Sequence, residues 1–340
     1  MTPIEEFSSA DALLNKCAYD EATAVYLKLR AQHSELAAFC DYRLATISNN
    51  TGDPMTACDL YYKAFTARPN LALNLYGESH LNRNYVYEGK KEEKESTSCP
   101  LCNSSEITPK WCYSLPEAGG FSSVFNPIRV WMYCNQCHHM VARHYPENLF
   151  IYNDEERSPN TAFFSYYSSI LSKIAQYTSG ITLFEVGIGG CECLLVAQEM
   201  GFDTFGIDVI DKHVQMARDK FGLNAVTADF VEYQSKSKYD ILIMGDVIEH
   251  VSNPVAAIQK ANSMLADNGV LWVSTPNFDS AFSVAVGHND PMKKQAFHLN
   301  YFSRYSFFML LEMCGLAPVD YCVSSHYNGS MEVIAVKANS

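Results

Sequence analysis

The sequence predicts an α/β protein in three parts: an all-α helical-repeat segment, a small β-rich module built on four cysteines, and a carboxyl-terminal domain around a largely parallel sheet. Three observations carry this. Ala22 and Tyr26 are matched 35 residues later by Ala57 and Tyr61. Two Cys-x-x-Cys pairs follow, Cys99 with Cys102 and Cys134 with Cys137. From about residue 181 near-continuous apolar runs alternate with amphipathic stretches, the pattern of strands buried on both faces and joined by crossover helices.

Composition sets the outer limits. The chain has 340 residues, 48% of them apolar and 19% charged, which is enough to bury a sizeable core in more than one domain. Lys and Arg number 25 against 38 Asp and Glu, a net charge of −13 that repels phosphate backbones, so no nucleic-acid partner is expected. No apolar run approaches the ~18–20 residues of a spanning helix, and the first residues lack the basic start and apolar stretch of a secretory signal. The expectation is a cytoplasmic protein without a membrane partner. Its 12 cysteines then read as reduced thiols or metal ligands rather than a disulfide framework.

Residues 1–87 read as helices. Gly52, Ala57, Tyr61, Ala64 and Pro69 occupy the small, small, aromatic, small and proline positions of a helix-turn-helix unit. Small residues let two helices approach, and the aromatic fills the gap to the next pair. The pattern resembles the tetratricopeptide repeat over roughly residues 8–71, with a further helix expected from Leu71 to about Tyr87. About three such units are needed to stand alone, so two should lean on another surface of the chain or self-associate. Residues 88–97 carry seven charges in ten positions and read as a solvated linker.

Residues 98–150 hold the cysteine pairs. Two residues between cysteines let a tight turn aim both sulfurs at one point, and two such turns complete a tetrahedral site for a structural zinc ion. Cys99, Cys102, Cys134 and Cys137 are the expected ligands, with His138 and His139 as neighbours able to replace one. The 31 residues between the pairs, including Glu117 to Gly120, are expected to form a β-rich insertion.

Residues 151–340 carry the chemistry. A helix from about Asn160 to Thr178 precedes a strand that ends in Glu185-Val-Gly187-Ile-Gly189-Gly190-Cys191. Glycines at such a strand–helix junction let a ligand approach the backbone at the carboxyl edge of the sheet. Asp208 ends the second strand, where a carboxylate can accept from both hydroxyls of a ribose. Asp229 and Phe230 end the third, suited to an adenine amine and a ring contact. The fourth ends in Gly245-Asp246-Val247-Ile248-Glu249-His250.

Taken together, residues 181–278 resemble the core of a class I S-adenosylmethionine-dependent methyltransferase, nearest to the ubiquinone-pathway and small-molecule enzymes. The phrases EVGIGG, GIDV, ADF, GDVIEHVSNP and GVLWVSTPN carry the likeness. It implies a Rossmann-like sheet of seven strands with S-adenosylmethionine as cofactor. Residue by residue, Glu185 would orient the methionine moiety and Gly187 and Gly189 give the close approach. Asp208 would take the ribose with Val209 beside the adenine, Asp229 and Phe230 would hold the adenine, and Asp246 with Val247 would lie beside the sulfonium. A four-cysteine module ahead of such a core also resembles deoxysugar C-methyltransferases. Their Tyr and Glu before the histidine matching His298 are replaced here by Gln295 and Phe297.

Transfer to a hydroxyl or an acidic C–H needs a base, and histidine suits neutral pH. His298 and His250 are the candidates, with Glu249 positioning either and Tyr301 and His288 as alternatives. The segment Phe278–Lys294 reads as a lid over the acceptor. His33, His80, His213 and His326 read as surface or packing residues. The expected acceptor is a small polar or carrier-linked metabolite such as a sugar nucleotide. Two other readings stay open: a protein methyltransferase whose repeats hold a polypeptide partner, and a cofactor-binding scaffold without turnover.

Overall fold

The computed structural model describes residues 1–119, 121–147 and 157–338. Gly120, the end of the cysteine module at 148–150 and the start of the next domain at 151–156 lie outside the described residues.

The amino-terminal part is four helices packed one on the next: α1 (Pro3–Asn15), α2 (Tyr19–Gln32), α3 (Ala37–Asn50) and α4 (Pro54–Ala67). Local chemistry sets their starts. Thr2 and Glu5 form a capping box on α1, and the Asp53 carboxylate accepts from Thr56 N–H ahead of Pro54 on α4. Ala22, Ala57 and Ala64 are fully buried where the helices meet, with Tyr26 and Tyr61 beside them. The helix expected from Leu71 to Tyr87 is instead the single turn α5 (Ala72–Leu75) followed by turns. Asn74, Gly77, Asn82 and Asn84 crowd that stretch, and such residues favour turns over helix continuation.

The cysteine module contains β1 (Lys94–Glu95), β2 (Ile107–Ser114), β3 (Ile128–Cys134), β4 (Met140–Ala142) and β5 (His144–Tyr145). The linker is therefore not free along its whole length, because β1 pairs antiparallel with β5. In the carboxyl-terminal domain follow α6 (Phe164–Ile174), β6 (Thr182–Val186), α7 (Glu192–Glu199), β7 (Asp203–Asp208), α8 (Asp211–Phe221) and β8 (Ala225–Thr227). Then come β9 (Tyr239–Gly245), α9 (Pro254–Met264), β10 (Leu265–Pro276), α10 (Ala281–Val286), β11 (Asn300–Tyr301), α11 (Arg304–Met313), β12 (Leu316–Val323) and β13 (Ser330–Lys337).

The main sheet has the order β12-β13-β10-β9-β6-β7-β8. Strands β6 to β10 run parallel, while β13 pairs antiparallel with both β10 and β12. The sheet order reverses direction at β6, so the carboxyl ends of β6 and β9 open a crevice there.

The helices and the carboxyl-terminal domain each keep a cluster of their own, but other clusters cross between the parts. Strand β11 of the last domain pairs with β4 of the cysteine module, extending its sheet to the order β11-β4-β3-β2. Cys99, Cys134 and Cys137 share one apolar cluster with Phe302, Phe307 and Leu310. Tyr42, Ala57, Tyr61 and Phe65 of the helices share another with Cys112, Val130, Met132 and Val141 of the module. The boundary near residue 150 is thus a boundary along the chain and not in space. The helices lean on the small sheet through that second cluster.

Candidate functional site

The junction of β6 and α7 is a tight left-handed turn. Gly187 has φ +75° and Gly189 φ +48°, and a Cβ on Gly187 would lie 2.7 Å from Val247 Cγ2. Cys191, where relatives often carry glycine, adopts φ +70° at the N-cap of α7. A side chain in that region costs on the order of 1–2 kcal/mol, so the turn holds its shape against strain.

Two carboxyl groups flank this turn. Glu185 is buried, and burial pushes its pKa well up, helped by the charges of Glu192 and Asp208. Its Oε2 has no hydrogen-bond partner, a costly state for a buried oxygen unless a ligand donates to it. Asp208 is also buried and is held from three sides. Its Oδ1 accepts from Ile210 N–H at 2.8 Å, and its Oδ2 accepts from Gly189 N–H at 3.1 Å and from His213 Nδ1 at 3.2 Å. His213 is therefore no surface residue. It stands at the third position of α8, whose first turn faces back onto the end of β7.

Asp229 is exposed and caps the next turn, accepting from Val231 and Glu232 N–H. Phe230 does not face the crevice but packs in the core, with its ring centroid 6.2 Å from that of Phe184. Phe230 is thus a core residue in the turn that Asp229 caps. Val209 remains partly exposed beside Asp208. Asp246 has φ +53° at the end of β9, and its Oδ1 accepts from Ser274 Oγ at 3.0 Å and Tyr327 OH at 2.9 Å. Tyr327 lies in the β12–β13 turn, and nothing in the sequence reading pointed to it.

Next to Asp246 three side chains converge. The ligand atoms of Glu249, His250 and His298 lie within 4.8 Å of one another, a spacing within which one cation would meet all three. The two imidazole centroids are 4.9 Å apart in an edge-to-face arrangement. His250 Nδ1 is 3.0 Å from Phe297 O and donates to it, since a carbonyl only accepts; Nε2 then keeps its lone pair. Burial holds both imidazoles below the ordinary histidine range, and His298 is pushed further by the charges of His250 and Arg129. Glu249 is raised well above the carboxylate range by burial and by Asp246, and its Oε2 accepts from Thr275 Oγ1 at 3.0 Å. Glu249 Oε1 and His298 Nδ1 are buried without partners.

Tyr301 does not join this group. It is fully buried against Trp131 and Phe278, and its hydroxyl donates to Asp290 Oδ2 at 2.6 Å. Its place on β11 makes it a seam residue rather than a base. His288 is bound to Tyr113 OH at 2.9 Å, far from free rotation. The segment Phe278–Lys294 is no loose lid either: Asp290 and Lys293 within it are buried, and Lys293 Nζ sits 4.2 Å over the Trp111 ring.

The four cysteines converge as their spacing requires. Their sulfurs all lie within 4.8 Å, with Cys99 to Cys137 at 3.4 Å and Cys102 to Cys134 at 3.5 Å. Sulfurs bound about 2.3 Å from a tetrahedral zinc would stand about 3.8 Å apart, so the donor set and its spread fit that ion. Hydrogen bonding from Cys137 and from nearby backbone N–H groups lowers the Cys99 thiol, while Cys137 is raised by its hydrogen bond to Cys99 and Cys102 by burial.

The sheet order with its reversed strand, the glycine turn and the acid at the end of β7 make a Rossmann-like α/β domain with a mixed sheet. Residues 161–321 match the family model described as a methyltransferase domain, and the chain carries such a domain over that span. The mitochondrial ubiquinone biosynthesis O-methyltransferase of Arabidopsis thaliana is 29% identical over 107 residues, which are 29% of this chain and 33% of that one. The ubiquinone biosynthesis O-methyltransferase of Paramagnetospirillum magneticum is 31% identical over 103 residues, 29% of this chain and 41% of that one. The chain thus spans between a third and a half of the length of these relatives. Among solved structures, the CcbJ methyltransferase from Streptomyces caelestis aligns with 56% of this chain and 96% of its own, at 10% identity and a TM-score of 0.43. Among the described residues no helix is long and apolar enough to cross a membrane.

The depressed imidazoles give a pH expectation. Their folded pKa values lie below the unfolded value of about 6.5, so below that pH the unfolded chain binds more protons. The stability they contribute is complete above about pH 6.5 and is lost as pH falls through the folded values. Urea midpoints should drop between about pH 6.5 and 5, and a His250→Gln/His298→Gln double variant should show a shallower drop. An equally steep drop would clear the pair of responsibility.

Proposed function

We propose that the protein transfers a methyl group from S-adenosylmethionine to a small polar or carrier-linked metabolite, with His298 or His250 as the general base. What supports this reading is the set of groups at the carboxyl ends of β6, β7 and β9. The glycine turn is flanked by the buried acids Glu185 and Asp208 and meets Val247, three residues before His250, which is half-buried and packs edge-to-face on the buried His298.

S-adenosylmethionine supplies an activated methyl group on a sulfonium. On this reading Asp208 accepts from the ribose hydroxyls, Glu185 meets the methionine end through its unpartnered oxygen, and Gly187 and Gly189 admit the ligand to the backbone. The cation suits a crevice lined by acids. The acceptor is held near the methyl at about 3–3.5 Å in line with the breaking bond. His250 or His298 takes the proton that leaves the acceptor. Both imidazoles are unprotonated at neutral pH, so neither has to lose a proton first. Glu249, whose pKa burial raises, stands within 4.8 Å of both rings and positions them. A sugar nucleotide fits the polar acceptor class, by analogy with deoxysugar enzymes that share the cysteine module.

The four cysteines are read as a structural zinc site, since four thiolates leave no open position for chemistry. The paired helices are read as tetratricopeptide-like units that buttress the small sheet through the Tyr42, Tyr61 and Phe65 cluster.

Calorimetry with S-adenosylhomocysteine tests the cofactor. The Asp208→Ala variant should bind it at least about tenfold more weakly, because hydrogen bonds to a charged group contribute roughly 1.5–3 kcal/mol. Unchanged affinity removes Asp208 from the site. With labelled cofactor and a metabolite extract, His298→Ala should lose about 10²–10⁴ in turnover while binding the cofactor almost normally. Near-wild-type turnover passes the role to His250, and parallel loss of melting temperature and rate assigns His298 to packing instead. Elemental analysis should find one zinc per chain, and Cys134→Ser should lower both metal content and melting temperature. Metal-free purified protein contradicts the zinc site.

A further inference from the structure

The surroundings of Asp208 contain one donor too many for the role just given to it. A carboxylate offers about four acceptor positions, two on each oxygen. Groups of the described residues already take three: Ile210 N–H on Oδ1, and Gly189 N–H and His213 Nδ1–H on Oδ2. A ribose that donates one hydroxyl to each oxygen needs two positions, and one is left. One protein donor has to give way. The two backbone donors belong to the end of β7 and to the strained glycine turn, and neither moves without disturbing an element. His213 is a side chain on α8, and its hydrogen bond is the longest of the three.

We propose that His213 is a positioning residue that competes with the ribose for Asp208: it holds Oδ2 while the site is empty and yields it to one ribose hydroxyl on binding. The inference rests on the cofactor reading above and adds an internal rival to it. Without a ligand, a buried carboxylate aimed at an open crevice would be left under-bonded, and the ring of His213, buried with it, satisfies the oxygen and ties α8 to the glycine turn. On binding, a protein–protein hydrogen bond is exchanged for a protein–ligand one. Part of the ribose contact is thereby offset, and affinity is set lower than the same site would give without the rival. A second consequence follows for ribose recognition. When the ligand lacks the competing hydroxyl, His213 takes the oxygen back, so the wild-type protein loses little by the omission.

The test uses the full chain and calorimetry with S-adenosylhomocysteine and its 2′-deoxy and 3′-deoxy analogues, with melting curves on every variant. His213→Leu keeps a helix-forming, apolar side chain and removes the donor. It should bind S-adenosylhomocysteine about three- to tenfold more tightly than wild type, the range of one net hydrogen bond. It should also be penalised more than wild type by one of the two deoxy analogues, while its melting temperature without ligand falls. His213→Asn, whose amide nitrogen stands where Nδ1 does, should restore wild-type affinity and the smaller deoxy penalty. A simple packing role would lower stability without changing the deoxy penalty. Affinity in His213→Leu that is unchanged or weaker overturns the proposal, as does an unchanged deoxy penalty; weaker binding would make His213 a support of Asp208 rather than its rival. Wild-type protein that binds no S-adenosylhomocysteine overturns the cofactor reading itself, and that outcome is separable because it appears before any variant is compared.

Discussion

The architecture turns on how the buried backbone between β10 and β11 finds its hydrogen bonds. The part of this stretch from Lys293 to Leu299 includes several buried residues, and there an unpaired carbonyl costs as much as a lost hydrogen bond. Strand β3 supplies the partners. Arg129 donates to the carbonyls of Ala296 and His298, and Trp131 Nε1 donates to that of Lys293 at 2.8 Å. Arg129 is almost wholly buried, and burial lowers its pKa to about 10, so it remains a cation at neutral pH. A guanidinium suits this place because it offers several donors in a fixed fork and cannot easily lose its charge. One side chain therefore joins the small sheet to the segment that carries His298.

The remaining contacts build outward from that seam. Leu299 and Asn300 N–H both donate to Glu249 O, which brings the end of β9 against β11 and sets His250 beside His298. Asn300 Oδ1 meets His139 Nε2 at 3.0 Å, so the second cysteine knuckle bears on the same strand. On the far side Lys294 pairs with Glu117, whose other oxygen accepts from Tyr42 OH at 2.6 Å, linking the segment to the helices. The helices, the cysteine knuckles and the imidazole pair are thus connected through packed polar contacts. Burial raises the pKa of both Glu185 and Glu249, while Asp208 accepts from the Gly189 and Ile210 N–H groups.

Much of this was legible in the chain itself, and for a local reason. The glycine turn, the cysteine knuckles and the strand–helix alternation are each written in a few neighbouring residues, so spacing alone predicts them. Gly187 must be glycine because Val247 stands where its Cβ would go, and Cys99, Cys102, Cys134 and Cys137 need only two short turns to meet. Helix starts at Thr2 and Asp53 are likewise encoded within one turn. What the sequence by itself determined is therefore the kind of sheet, the order of its motifs and the residue types at its carboxyl edge.

Only the tertiary structure decided which candidates share a site. Tyr301 and His298 are three residues apart in sequence, yet pairing of β11 with β4 sends the tyrosine into the seam with Trp131 and leaves the histidine with His250. Phe230 passed for a ligand contact until its ring was found on Phe184. His213, unremarkable in sequence, became a partner of Asp208 because α8 starts just after β7 and turns its first residues back toward the strand end. These outcomes depend on contacts between residues far apart in the chain, or on the direction a side chain takes once packed. Periodicity and spacing record which face a residue occupies. They carry no information on what the opposite surface brings to meet it, and for this protein that opposite surface decides where the chemistry lies.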